Sequence, residues 1–180
     1  MNSFYSEQEL GKMGFKMVGK NALVSRNATF YSAEEISIGD NVRIDDFCVL
    51  SGKITIGNFV HISAGSKLFG KFGIDFYDYS GCSANCVIYS ETDDFSGEYM
   101  VGAMAPEEKR NVVSGKVILG KYSQLGAGTI VMPGVRIAEG AVTGAMTFVN
   151  KTLNEWTINV GIPCREAKAR NRKLITLVDN

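Results

Sequence analysis

The sequence has one histidine, one tryptophan and three prolines among 180 residues. Cys82 and Cys86 are spaced C-x3-C, but a zinc site would need further Cys or His partners and the chain has one histidine. Core packing of the cysteines is therefore the favoured reading, and no metal is expected. Excess charge is absent too: Lys plus Arg and Asp plus Glu each number 19. Nothing global therefore argues for nucleic acid or an anionic membrane. The N-terminus is not basic and then apolar, and no apolar run reaches membrane-spanning length. The expectation is a cytoplasmic protein with reduced thiols and no membrane span.

What the chain does have is glycine, 20 residues of it, and a period of six. From Leu125 it reads LGAGTI, VMPGVR, IAEGAV, TGAMTF. An aliphatic or small residue opens each hexad, at Leu125, Val131, Ile137 and Thr143, and a small or β-branched one sits four places on. Six suits neither an amphipathic helix nor an alternating strand. It marks stacked short strands around a continuous core, a parallel β-helix. The same pattern starts loosely at Val18 and is clear from Ile38, with inward positions expected at Ile38, Ile44, Leu50, Ile56, Ile62, Leu68, Phe76, Cys82 and Ile88. Three early, nine middle and six late hexads would make about six coils and a prism about 30 Å tall.

Three segments fall outside the period. Residues 1–17 contain Ser6 and Glu9 at capping-box spacing, with Leu10 and Met13 apolar, which predicts a short helix capping the open end. Residues 91–112 are too long for a corner and too polar for the core, so they should project as a loop from the β-helix of 18–163. After the turn GIP, residues 164–180 read as a C-terminal helix, basic and then apolar.

The hexads, the mid-chain excursion and the ending GAGTIVMPGVRIAEGAVTGAMTFVNKTLNEWTINVGIPCREA resemble the hexapeptide-repeat acyltransferases. The nearest branch is that of galactoside and maltose acetyltransferases and their relatives in bacterial surface-polysaccharide gene sets. That resemblance implies an all-β left-handed parallel β-helix and a homotrimer, with acetyl-CoA as acyl donor in each intersubunit cleft. It places donor contacts on Gly126, Ala127, Gly144 and Ala145, Lys151 near the phosphates, and Pro163 and Arg165 by the adenine and its 3′-phosphate. Arg and Lys suit that phosphate through charge-assisted bonds. The same small residues could equally be corner residues alone.

Acyl transfer from a thioester needs a positioned nucleophile, a proton acceptor and donors for the oxyanion. The histidine that related galactoside enzymes carry before the excursion is replaced here by Asp93, with Asp94 beside it. Two bases compete for the role. His61, in GNFVHISAG, is the one side chain whose unperturbed pKa lies near neutrality, and a similar histidine occurs in the substrate cleft of nucleotide-aminosugar N-acetyltransferases. The other is Asp93 or Asp94. Asn85 and Tyr89 are candidates for acceptor contact. His61 of one copy is expected to approach Asp93 or Asp94 of the next across the trimer cleft.

An amine is partly neutral near pH 8 and needs a weaker base than an alkyl hydroxyl. Replacement of the usual histidine thus tilts the acceptor towards an amino sugar. The expected function is acetylation of a nucleotide-linked 4-amino-4,6-dideoxy sugar, such as dTDP-4-amino-4,6-dideoxyglucose, for O-antigen or other surface polysaccharide. O-acetylation of a sugar hydroxyl and a non-catalytic trimeric scaffold are the alternatives.

Overall fold

The computed structural model describes residues 3–178, so residues 1–2 and 179–180 of the expected end caps lie outside it. The chain winds into a left-handed β-helix of about seven turns with three flat faces. The first face stacks Met17–Val18, Ile36–Ile38, residues 54–56 and 74–76, Val117–Leu119 and Arg136–Ile137 in parallel. The second stacks Leu23–Val24, Arg43–Ile44, His61–Ile62, Gly81–Cys82, Gln124–Leu125, Val142–Thr143 and Thr157–Val160. The third stacks Thr29–Tyr31, residues 49–51 and 67–69, Val87–Tyr89, Ile130–Val131 and Phe148–Val149.

The hexad explains this directly. Each strand is so short that only two side chains per face turn inward, as Ile54 and Ile56 or Val60 and Ile62 do, and the next face begins six residues later. All nine inward positions from Ile38 to Ile88 are buried, as are Val42, Cys48, Val60, Ser66, Ser80 and Cys86 four places along. All four cysteines are free and buried in this column, packed as small apolar groups. Polar residues inside mostly find partners: Thr129 Oγ1 and Thr143 Oγ1 lie 2.8 Å apart, whereas the buried Ser123 Oγ has none.

The edge between the first and second faces turns through left-handed residues, among them Phe59, Tyr79 and Tyr122 with φ near 60°. Such a conformation costs about 1–2 kcal/mol per non-glycine residue. Ring stacking, Phe59 on Tyr79 at 4.8 Å and Tyr79 on Tyr122 at 5.5 Å, returns roughly 0.5–1.5 kcal/mol per pair. The interstrand bonds Phe59 N to Asp40 O and Tyr79 N to Asn58 O, both 2.9 Å, fix the remainder.

The N-terminal helix is a single turn, Glu7–Leu10, with the Ser6 and Glu9 capping box formed and Leu10 closing the top of the core. The C-terminal expectation is overturned. In place of a helix over 164–180, Arg165–Ala169 forms a strand antiparallel to Thr157–Val160, followed by a 3-10 turn at Lys173–Leu177. The last coil leaves a row of unpaired backbone groups, and residues 165–169 offer no apolar stripe for a helix to bury, so pairing with that edge wins. The coil count also exceeds the expected six. Residues 150–160, outside the hexads, add a rung through the Leu153–Ile137 bridge and Thr157–Val160.

Candidate active site

The edge between the second and third faces carries most of the residues singled out in the sequence. Successive turns are stitched there by backbone bonds. Gly65 N donates to Asp46 O, Asn85 N to Ala64 O, Gly128 N to Ala84 O and Met146 N to Ala127 O, at 2.8–2.9 Å. Ser83, Ala84 and Asn85 therefore lie in line with Gly126, Ala127 and then Gly144, Ala145. The edge continues into the C-terminal turn, since Phe148 N donates to Gly161 O and Cys164 N to Phe148 O at 3.1 Å. Pro163 and Arg165 flank Cys164, and the field of Lys151 reaches the Cys164 thiol, whose pKa burial nonetheless raises. Six of the seven expected donor contacts thus cluster along one edge, while Lys151 follows the third-face strand Phe148–Val149 and lies beyond that edge.

The small residues of this track divide into two kinds. Gly126 has no room for a side chain: a Cβ there would lie 2.5 Å from the Gly144 carbonyl carbon. On Gly144 it would meet Val160 Cγ1 at 2.9 Å. Both glycines serve the close approach of adjacent coils. Ala127 and Ala145 are exposed, and their methyl groups face outward as a narrow, flat strip. Asn85 takes the left-handed corner, with φ 60°, and its side chain sits over Gly65.

Asp93 and Asp94 lie at the root of the excursion. Glu91–Asp93 pairs antiparallel with Val112–Ser114, so the loop leaves and returns side by side. Asp93 Oδ2 accepts from Gly102 N at 2.9 Å and Oδ1 from Arg110 Nη2 at 3.0 Å. Asp94 Oδ1 accepts from Ser96 N at 2.8 Å and Oδ2 from Asn111 Nδ2 at 2.9 Å. The Gly102 amide and then the Arg110 guanidinium hold the Asp93 carboxyl below the usual carboxylate range. The Ser96 backbone and side chain, with Asn111, do the same for Asp94. Beside Asp93 opens a cleft of about 370 Å³ lined by Phe69, Tyr89, Phe95, Arg110 and Val112. Tyr89 stacks on Phe69 at 5.3 Å, giving one wall an aromatic face.

His61 stands on the second face, exposed, with Nε2 2.7 Å from Asp45 Oδ2. Asp45 Oδ1 also accepts from Arg43 Nε at 2.7 Å. Burial pushes the Asp45 carboxyl up, but the bonds to Arg43 and His61 outweigh it and leave it below its ordinary value. In the tautomer whose Nε2–H donates to Asp45, Nδ1 carries the free lone pair. Within one chain, then, His61 is grouped with Asp45 and Arg43, and Asp93 with Gly102 and Arg110. Among the described residues no cluster of His, Cys, Asp and Glu could hold a metal.

Sequence reasoning missed Ser83, Asp45 and Arg110. Ser83 had a readable signal: in CSANCV it occupies the place that Gly126 holds in LGAGTI and Gly144 in TGAMTF. Arg110 had none, because a partner seventeen residues away across an aperiodic loop leaves no spacing to recognise.

A coiled prism with a small-residue edge and a looped acidic cleft defines a class, the hexapeptide-repeat transferases. Residues 35–70 match the family described as "Bacterial transferase hexapeptide (six repeats)". The dTDP-4-amino-4,6-dideoxy-D-glucose acyltransferase of Escherichia coli is 42% identical over 97% of this chain and 93% of its own. AntD, an N-acyltransferase from Bacillus cereus, is 49% identical with a TM-score of 0.97, covering 99% of this chain and 96% of that one. It was crystallised with dTDP and 3-hydroxybutyryl-CoA. Its variants at one serine, and at one aspartate ten positions further on, were crystallised as well. A maltose O-acetyltransferase from Clostridium difficile shares the fold at 21% identity and a TM-score of 0.56, covering 95% of this chain and 81% of its own. The chain belongs to the hexapeptide-repeat sugar acyltransferases, enzymes that use coenzyme A thioesters.

Proposed function

We propose that this enzyme acylates the 4-amino group of a nucleotide-linked 4-amino-4,6-dideoxy sugar, dTDP-4-amino-4,6-dideoxyglucose being the specific candidate. Acetyl-CoA is the expected donor, and surface polysaccharide the expected destination. The observation that carries this reading is the single edge on which Ser83–Ala84–Asn85 stacks upon Gly126–Ala127 and Gly144–Ala145. A pantetheine arm lying along Ala145 and Ala127 would bring its thioester to Ser83. Ser83 and Asp93 reproduce the serine–aspartate spacing of ten seen in the AntD variants, which supports Asp93 as the acceptor-facing carboxylate.

The chemistry is balanced without a strong base. The neutral amine attacks the thioester carbonyl, the C–S bond breaks, and the proton lost by nitrogen ends on the departing thiolate or solvent. A carboxylate held ionised, as Asp93 is, accepts a hydrogen bond from the amine and stabilises the positive charge that nitrogen gains on attack. Completion of the cleft by a neighbouring copy, as a homotrimer, belongs to the same proposal. In that assembly Lys151, Pro163 and Arg165 would meet the nucleotide end of CoA, Asn85 and Tyr89 would border the sugar, and Asp94 would brace the loop.

A second assignment rests on the Asp45–His61 pair, which orients a ring nitrogen outward. His61 of one copy facing the other's Asp93 would supply a general base. Thiol release with acetyl-CoA and 3-hydroxybutyryl-CoA, against amino-sugar and hydroxyl-sugar nucleotides, tests the function. Amide formation on the amino sugar is expected. Ester formation on a hydroxyl sugar with no reaction at the amine would reject the proposal, and light scattering reads the trimer directly.

A further inference from the structure

We infer that Arg110 is a positioning residue of the acyl-transfer site, acting through Asp93 by fixing its carboxylate at the mouth of the excursion cleft. The inference rests on the reading of Asp93 given above. The geometry behind it is specific. Arg110 returns from the far end of the excursion to place Nη2 3.0 Å from Asp93 Oδ1, while Gly102, from the middle of the loop, takes Oδ2. One carboxylate oxygen is thus held from the middle of the loop and the other from its returning limb, which fixes the plane of the carboxylate and not merely its charge. Each oxygen keeps a second lone pair for a ligand.

Arg110 is itself well placed for this. Its side chain is only 24% exposed and lines the same cleft as Asp93, Phe69, Tyr89 and Phe95. Its Nε is buried without a hydrogen-bond partner, so the guanidinium spends its directed contact on Asp93. The other charges nearby are occupied separately. Glu91 Oε2 lies 3.1 Å from Lys71 Nζ, and Asp94 is bonded by Ser96 and Asn111. Tyr89 is turned against Phe69. Arg110 is therefore the cation that faces Asp93 among the described residues.

A guanidinium suits the task better than an ammonium because its planar fork fixes direction as well as charge. A residue that only braced the loop would lower stability and activity whatever stood at position 93. A residue acting through Asp93 should have nothing left to do once that carboxylate is gone.

The test is a double-mutant cycle on the full-length enzyme, with acceptor and donor kinetics for Asp93→Asn, Arg110→Met, Arg110→Lys and the Asp93→Asn/Arg110→Met pair. Asp93→Asn should lower kcat roughly 10²-fold, and Arg110→Met about tenfold with KM for the CoA donor unchanged. Arg110→Lys should recover part of that loss, and it keeps the test open if the methionine variant does not fold. The double mutant should be no slower than Asp93→Asn alone. Losses that multiply in the double mutant, with Asp93→Asn itself impaired, would overturn the positioning role and leave Asp93 standing. Wild-type kcat in Asp93→Asn would instead overturn the reading of Asp93, and this inference with it.

Discussion

The backbone N–H of Gly128 donates to the carbonyl of Ala84 at 2.9 Å, although the whole excursion lies between them in sequence. The coil before the loop and the coil after it are therefore in perfect register on the site edge. Val87 N reaching Thr129 O at 2.9 Å repeats the point at the next residue pair. The excursion is an insertion that the prism does not need for its own stacking. The loop's contribution is therefore sought in Asp93 and the cleft beside it, as proposed above.

Excising the loop should accordingly separate stability from activity. Replacing residues 95–109 by a short Gly-Ser bridge preserves the Glu91–Asp93 and Val112–Ser114 hairpin while removing the Gly102 contact. The β-sheet circular dichroism and CoA binding should persist, and acyl transfer should fall by roughly 10² or more. Wild-type turnover in the excised enzyme would mean the cleft beside Asp93 is not the acceptor site.

The two kinds of small residue on the edge should respond in opposite ways. Ala127→Leu adds bulk on an exposed methyl and should raise the donor KM about tenfold, with an unchanged melting temperature. Gly126→Ala forces a Cβ to 2.5 Å from the next coil. It should cost about 1–3 kcal/mol of stability, as overpacking does. Loss of stability in the first, or none in the second, would reverse these assignments.

The fold was legible because every inward residue is forced by a period that repeats at each rung, so one error could not shift the whole. That Gly126 and Gly144 fall on one edge was legible for the same reason, since they share one place in the hexad; the donor role given to that edge came from the resemblance. The candidate acceptor site was less legible. Asp93–Arg110 and Asp45–His61 join residues whose separation has no periodic meaning, and only coordinates bring them together. The C-terminal helix failed through competition: residues 165–169 have no fixed preference, and the open edge of Thr157–Val160 decided for a strand.

The N-terminal cap should show a definite pH dependence. Arg26 and the Ser6 backbone and hydroxyl, in that order, lower the Glu9 pKa to about 2. A depressed carboxyl stabilises the fold above its unfolded value of about 4.3, and that contribution disappears as pH falls towards about 2. The difference in melting temperature between wild type and Glu9→Gln should be present at pH 6, shrink below about pH 4.3, and be smaller in high salt because the pair is exposed. A difference that grows on acidification would contradict the cap geometry.

The C-terminal strand should be held in place by Arg170. Its Nη1 donates to the carbonyls of Tyr122 at 2.8 Å and Gly140 at 3.0 Å, and its guanidinium lies over Trp156 at 5.9 Å. Trp156 in turn fills the space above Gly140, where a Cβ would meet the indole at 2.4 Å. Arg170→Met leaves both carbonyls without this donor, at a cost of about 1–3 kcal/mol, which for a chain of this size lowers the melting temperature by roughly 2–4 °C per kcal/mol. Because residues 165–169 pair with the last rung just before Arg170, the same change should speed proteolysis after the basic residues of the tail. It should also raise the donor KM through Pro163 and Arg165. Arg165→Ala should raise that KM without the stability loss, since its side chain is exposed. If Arg170→Met leaves melting and proteolysis unchanged, the strand is held by its backbone pairing with Thr157–Val160 alone.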